Sequence, residues 1–151
     1  YEYLWTKIRI QGGAYGATAR FDSNGLGIFA SYRDPKLAES FQAYYDLPAW
    51  LEKEEFSARE LDKYVIGTIS GMDTPLTNTM RLDTVTTSWL KNITDEHRQK
   101  SRNEVLDVTN EDLQALAPVI RDMLSDGYVC VVGGKQPIEA NAERFNKIIN
   151  A

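Results

Sequence analysis

The chain has 151 residues, 42% of them hydrophobic and 26% charged, with a formal net charge of −5 and one cysteine. That is the size of a single domain able to bury a real core. Its charge speaks against nucleic acid or an anionic membrane as partner and suits cationic peptides, and no apolar run approaches the ~20 residues needed to span a bilayer. Cys130, being alone, excludes an internal disulfide and fits a reducing compartment. The chain opens on Tyr1 rather than Met and shows no targeting peptide, so the expectation is an excised piece of a longer protein.

In chain order, Leu4, Trp5 and Ile8 recur at helical spacing and predict a helix over 1–10, with Arg9 near its C-terminus where a cation is favoured. Gly12 and Gly13 then allow a sharp turn, which would let Arg9 and Tyr15 face one site. Asn24-Gly25 predicts a two-residue type I′ hairpin loop. In that register Phe21 pairs with Ile28, Ala19 with Ala30 and Ala17 with Tyr32. Tyr15 shares their face, while Thr18, Arg20 and Ser31 share the other. Asp34-Pro35 predicts a helix start, with Asp34 as N-cap and an apolar stripe of Leu37, Phe41, Tyr44 and Tyr45 that Pro48 interrupts.

Ser57 to Glu60 is a capping box that opens a helix through Ile69. Thr74-Pro75 predicts the next helix, to about Lys91, with Met80 and Trp89 buried. Thr94 caps a polar helix anchored by Val105 and Leu106. Thr109 with Asp112 opens another, with a stripe of Leu113, Leu116, Ala117, Ile120, Met123 and Leu124, kinked at Pro118. Tyr128 to Val132, nearly all apolar, predicts an interior strand. Ile138, Ala142, Phe145, Ile148 and Ile149 predict a final helix.

The residues limit the chemistry. Two imidazoles one helical turn apart, as in HxxEH, would bind zinc, but His97 is the sole histidine and sits among polar residues. Cys130 in an interior strand is a poor nucleophile. The glycines near residues 12–16 and 133–134 lack the spacing of a phosphate loop. Alone, then, the chain is expected not to hydrolyse peptides. Spacing by itself makes Arg9 a helix-end charge in water and Tyr15 a packed strand aromatic.

The segment LWTKIRIQGGAYGA (4–17), followed by SYRDP (31–35), resembles the last domain of presequence proteases, zinc metallopeptidases of the pitrilysin/insulinase class. ARELDKYVIGTISGMD, TDEHRQKSRNEVLDVTNEDL and YVCVVGG extend the similarity from Leu4 to Gly134. The resemblance implies an α/β (α+β) insulinase-like domain fragment: helix, antiparallel hairpin, a run of helices, a further strand and a helix.

It implies that zinc and its glutamate base lie in the N-terminal half of a longer protein, over which the C-terminal half closes. Arg9 and Tyr15 match the two positions of R-x-x-G-G-A-Y-G that reach the substrate, with Gly12 and Gly13 between them. The tyrosine hydroxyl would donate to the developing oxyanion as zinc-bound water attacks, which makes Tyr15 the catalytic candidate. The arginine would hold peptide carbonyls or a terminus.

The implied substrates are unfolded peptides such as cleaved presequences. The implied location is cytoplasmic if bacterial, and mitochondrial matrix or plastid stroma if eukaryotic. The resemblance also implies further strands and a helix before LWxxIR that this sequence does not hold, so the expectation is an unpaired sheet edge that could recruit a second copy of the chain; a monodisperse monomer would count against that. An inactive scaffold of the same fold and a stand-alone peptide-binding module remain alternatives.

Overall fold

A computed structural model describes residues 2–22 and 24–149. They are mostly helical with one two-stranded antiparallel sheet, and the chain divides into two compact units, Tyr1–Lys53 with Ala115–Ala151, and Glu54–Gln114.

In the first unit the expected N-terminal helix forms, though not as a plain α-helix. One turn, α1 (Glu2–Leu4), passes into a π-helix over Trp5–Gln11; Tyr1, where the expected segment starts, lies outside the described residues. Leu4 and Ile8 are buried, as their spacing predicts. The hairpin consists of β1 (Gly16–Phe21) and β2 (Gly27–Tyr32).

Its register corrects the expected one. Ala17 pairs with Ser31, Ala19 with Phe29 and Phe21 with Gly27. The strands close at Asp22 and Leu26, whose N–H···O bond is 3.0 Å, with Gly25 at φ 82° between them. Asp22 Oδ1 accepts from the backbone N–H groups of Asn24 and Leu26 at 2.9 and 3.1 Å. This side-chain-capped loop displaces the two-residue turn. Because strand side chains alternate, one residue of slip turns all of β2 over. Ser31 and Phe29 therefore share the Ala17 face, and Ile28, Ala30 and Tyr32 share the Thr18–Arg20 face.

The next helix, α2 (Leu37–Leu51), starts later than expected, after Lys36. Asp34 does not cap it; its Oδ1 accepts from Lys36 N–H at 2.9 Å and forms the turn ahead of the helix. Pro48 is carried inside the helix rather than ending it. The buried face is Ser40, Ala43, Tyr44, Leu47 and Leu51, set against the π-helix and α7 (Leu116–Ser125). Stacked rings add to it: Tyr3 on Trp50 at 4.8 Å and Phe29 on Tyr44 at 5.5 Å. Every residue classed as buried among those described belongs to this unit.

The expected interior strand at 128–132 does not form. Tyr128 and Val132 are almost fully exposed, and Cys130 is exposed too. No backbone N–H or C=O of 128–133 has a backbone partner among the described residues. A strand needs a neighbour for its hydrogen bonds, and the sheet ends at β1 and β2. The final helix is likewise short: α8 (Lys135–Glu139) and a 3-10 turn (Ala142–Arg144), with Ile148 and Ile149 exposed. Five residues cannot sustain a helix without packing.

The second unit holds α3 (Ala58–Met72), α4 (Asn78–Leu90), α5 (Asp95–Leu106) and α6 (Asn110–Gln114). The capping box forms as expected: Glu60 Oε2 accepts from Ser57 N–H at 2.8 Å and from its hydroxyl at 2.6 Å. Thr94 caps α5 by accepting from His97 N–H. Thr77, not Thr74, caps α4. Asp73 at the end of α3 makes a two-pronged pair with Arg102 of α5, at 2.6 and 2.8 Å. Asn110 exchanges two 2.9 Å bonds with the backbone of Phe56.

The apolar anchors expected here are not buried. Met80 and Leu106 are about half exposed, and Trp89 is 79% exposed. Few helices meet in this unit, so their apolar faces lack cover. The helix expected from Thr109 through Leu124 breaks at Ala115 into α6 and α7. Pro118 explains the break, having no N–H for the carbonyl four residues back and a ring that crowds it.

Candidate functional site

The site candidates sit where the π-helix meets β1. The π-helix ends at Gly12, whose N–H reaches Arg9 O. Gly13 N–H also reaches Arg9 O at 3.0 Å, and Ala14 N–H reaches Ile8 O at 3.1 Å. The two glycines serve the turn differently. Gly13 adopts φ 82°, as the sharp turn requires. Gly12 has ordinary helical angles and is needed for space, since a Cβ there would lie 2.3 Å from Ile8 O. Gly12 is buried and Gly13 exposed.

Arg9 folds back one helical turn, its guanidinium carbon 3.9 Å from the centroid of the Trp5 ring. A cation over an indole face is attracted by the ring quadrupole. Tyr15, 66% exposed, stands just before β1. Its ring meets Tyr32 edge to face at 5.9 Å, and the Arg33 guanidinium lies 5.9 Å from its centroid. The turn joins Arg9 and Tyr15 through the backbone. Their side chains have separate neighbours, and no hydrogen bond or ring contact links the two among the described residues.

Beside this turn a groove of about 640 Å³ runs along β2, with Leu37, Phe41 and Tyr44 of α2 on one wall and 130–134 on another. Burial pushes the Tyr44 phenol up, with a further push from the Asp34 carboxylate and an opposing pull from the Ser31 hydroxyl.

Among the described residues no group of three or more His, Cys, Asp or Glu could hold a metal. His97 is exposed on α5 and Cys130 belongs to the other unit. Sequence reasoning missed Arg33. It lies within the quoted SYRDP segment, but its signal is a left-handed backbone that no residue pattern announces.

The turn, the hairpin and the helices behind them define an α+β domain fragment with an exposed tyrosine and a stacked arginine at one turn. The family model for the PreP C-terminal domain matches residues 1–135, and the chain belongs to that family. Its architecture is that of a fragment of the insulinase-like fold.

Among curated relatives, the chain is 37% identical over 148 residues to Protein HypA of Clostridium perfringens, covering 98% of this chain and 15% of that protein. It is 32% identical over 146 residues to Presequence protease 1, chloroplastic/mitochondrial, of Arabidopsis thaliana, covering 95% and 14%. To Presequence protease, mitochondrial, of Schizosaccharomyces pombe it is 29% identical over 136 residues, covering 89% and 13%. The chain thus spans about 13–15% of the length of these relatives. No helix among the described residues is long and apolar enough to cross a membrane.

Proposed function

We propose that this chain is the non-catalytic last domain of a longer zinc metallopeptidase that degrades unfolded peptides, cleaved targeting presequences among them. The family match over residues 1–135, together with relatives named as presequence proteases, supports the reading. Zinc is assigned to the preceding half of that protein, as the resemblance to presequence proteases implies. The location follows the host: cytoplasm in a bacterium, mitochondrial matrix or plastid stroma in a eukaryote.

Within that protein the chain closes the substrate chamber and supplies two contacts. The observation that carries the site is the exposed Tyr15 phenol, tethered through a rigid glycine turn to Arg9. The Tyr15 hydroxyl donates to the scissile carbonyl oxygen as negative charge develops there, a contact that strengthens in the transition state. Arg9, held over Trp5, offers several donors to peptide carbonyls or to a terminal carboxylate. Gly12 and Gly13 set the spacing between them, and Gly13 presents exposed backbone to the same peptide.

The test is zinc-dependent cleavage of an unstructured peptide by the full-length protein, its Tyr15→Phe variant and its Arg9→Ala variant. The expected result is a fall in kcat/KM of about a hundredfold, with zinc content unchanged. Unchanged cleavage would confine both residues to packing. A wild type that neither binds zinc nor cleaves would make the protein an inactive scaffold of the same fold.

A further inference from the structure

Arg33 closes the hairpin at the end where Tyr15 stands. Its backbone has φ 48°, a left-handed conformation that a residue with a Cβ enters at a cost and that clusters at working sites. That conformation ends β2 after Tyr32. It leaves two carbonyls facing residue 15, whose N–H donates to Tyr32 O at 3.0 Å and to Arg33 O at 3.4 Å. The side chain comes back to the same place. The guanidinium carbon lies 5.9 Å from the Tyr15 ring centroid and 5.4 Å from that of Tyr32, and the two rings are set edge to face. No carboxylate pairs with Arg33 among the described residues. A position needed only for the turn would favour glycine or asparagine. Here the strained position carries a cation aimed at two tyrosines.

We propose that Arg33 is a positioning residue for Tyr15, clamping its ring against Tyr32 so that the phenol hydroxyl is held out toward a bound peptide. The proposal rests on the reading that the Tyr15 hydroxyl serves the substrate. An exposed tyrosine with no clamp samples several rotamers, and each departure from the reactive geometry lowers the rate. Arg33 holds the backbone of residue 15 through its carbonyl and the ring through its guanidinium. Substitution there moves the hydroxyl without removing it.

Steady-state kinetics on the full-length protein test this with an unstructured peptide and four variants: Arg33→Gly, Arg33→Lys, Tyr15→Phe and the double variant Arg33→Gly/Tyr15→Phe. Glycine accepts φ 48°, so Arg33→Gly should melt no lower than the wild type. Its kcat should fall about tenfold with KM within about twofold, as expected of lost orientation rather than lost binding. Arg33→Lys keeps the cation and should retain most of the rate. The double variant should be no slower than Tyr15→Phe alone, since the clamp has nothing left to position. Wild-type kinetics for Arg33→Gly would overturn the proposal. So would a loss in the Tyr15→Phe background equal to its loss alone, which would make Arg33 an independent contact or a surface charge. If Tyr15→Phe cleaves as the wild type does, the reading of Tyr15 itself fails and takes the clamp with it, an outcome distinct from failure of Arg33→Gly alone.

Discussion

Replacing Gly12 by alanine isolates the turn on which the site depends. An added Cβ would meet Ile8 O at 2.3 Å, Ile8 C at 3.0 Å and Lys7 O at 3.1 Å, all backbone atoms of the π-helix. Backbone cannot swing aside as a side-chain tip can, so the π-helix must unwind or the turn must move. Overpacking of this kind costs about 1–3 kcal/mol. For a chain of this size that is a fall in melting temperature of roughly 2–4 °C per kcal/mol.

Gly13→Ala should cost about 1–2 kcal/mol for a different reason, the left-handed φ of 82°, since its Cβ meets only Pro35 Cγ at 3.7 Å. Gly16→Ala is the control. Nothing lies within 4 Å of its Cβ and its φ is not left-handed, so it should be neutral or stabilising by about 0.5 kcal/mol through the unfolded chain. Urea or thermal unfolding of the three variants gives the ranking. If Gly12→Ala proved as stable as Gly16→Ala, the close approach to Ile8 would not be what requires glycine, and the argument for a rigid turn between Arg9 and Tyr15 would fall.

Ser57→Ala should destabilise α3 by about 1 kcal/mol, because Glu60 loses the Ser57 hydroxyl while keeping the Ser57 N–H, and an N-terminal N–H loses its cap. Faster amide exchange in the first turn of α3, with none in α2, would report it, and unchanged exchange would refute the cap. Tyr44→Phe should leave stability near neutral pH unchanged or raised, because the buried Tyr44 hydroxyl has the Ser31 hydroxyl near it but no hydrogen bond of good geometry among the described residues. The sign at high pH follows from the raised folded pKa. The unfolded phenol ionises first, near 10, so the stability that Tyr44 contributes is full below that pH and is lost as pH rises through the folded value. Alkaline unfolding should therefore be shallower in Tyr44→Phe than in the wild type, and identical alkaline profiles would exclude this phenol as their cause.

Much of this protein was legible from residues a few positions apart. Leu4 and Ile8 face inward because they lie on one side of a helix, and Ser57 caps α3 because Glu60 is three residues on. Thr94 caps α5 in the same way. Pro118 divides α6 from α7 because it lacks an N–H. The segment carrying Arg9 and Tyr15 was recognisable as a string, and with it the family. Each of these rests on partners within about one helical turn or on a local motif, so no knowledge of the rest of the molecule is needed.

Tertiary structure decided whatever depends on a distant neighbour. Asn24-Gly25 announced a hairpin, but Asp22 reaching over the loop moved the register by one and turned β2 over. Tyr128 to Val132 has the composition of an interior strand and stays unpaired, because backbone hydrogen bonds need a second strand beside it. Met80 and Trp89 have the spacing of core residues and remain exposed because nothing among the described residues of their unit covers them. Arg33 lies in a segment read only as a resemblance. Its left-handed backbone and its place against Tyr15 appear only once β2 ends and the chain turns beside the glycine corner. Local chemistry sets which element forms; burial, pairing and strain are properties of what it meets.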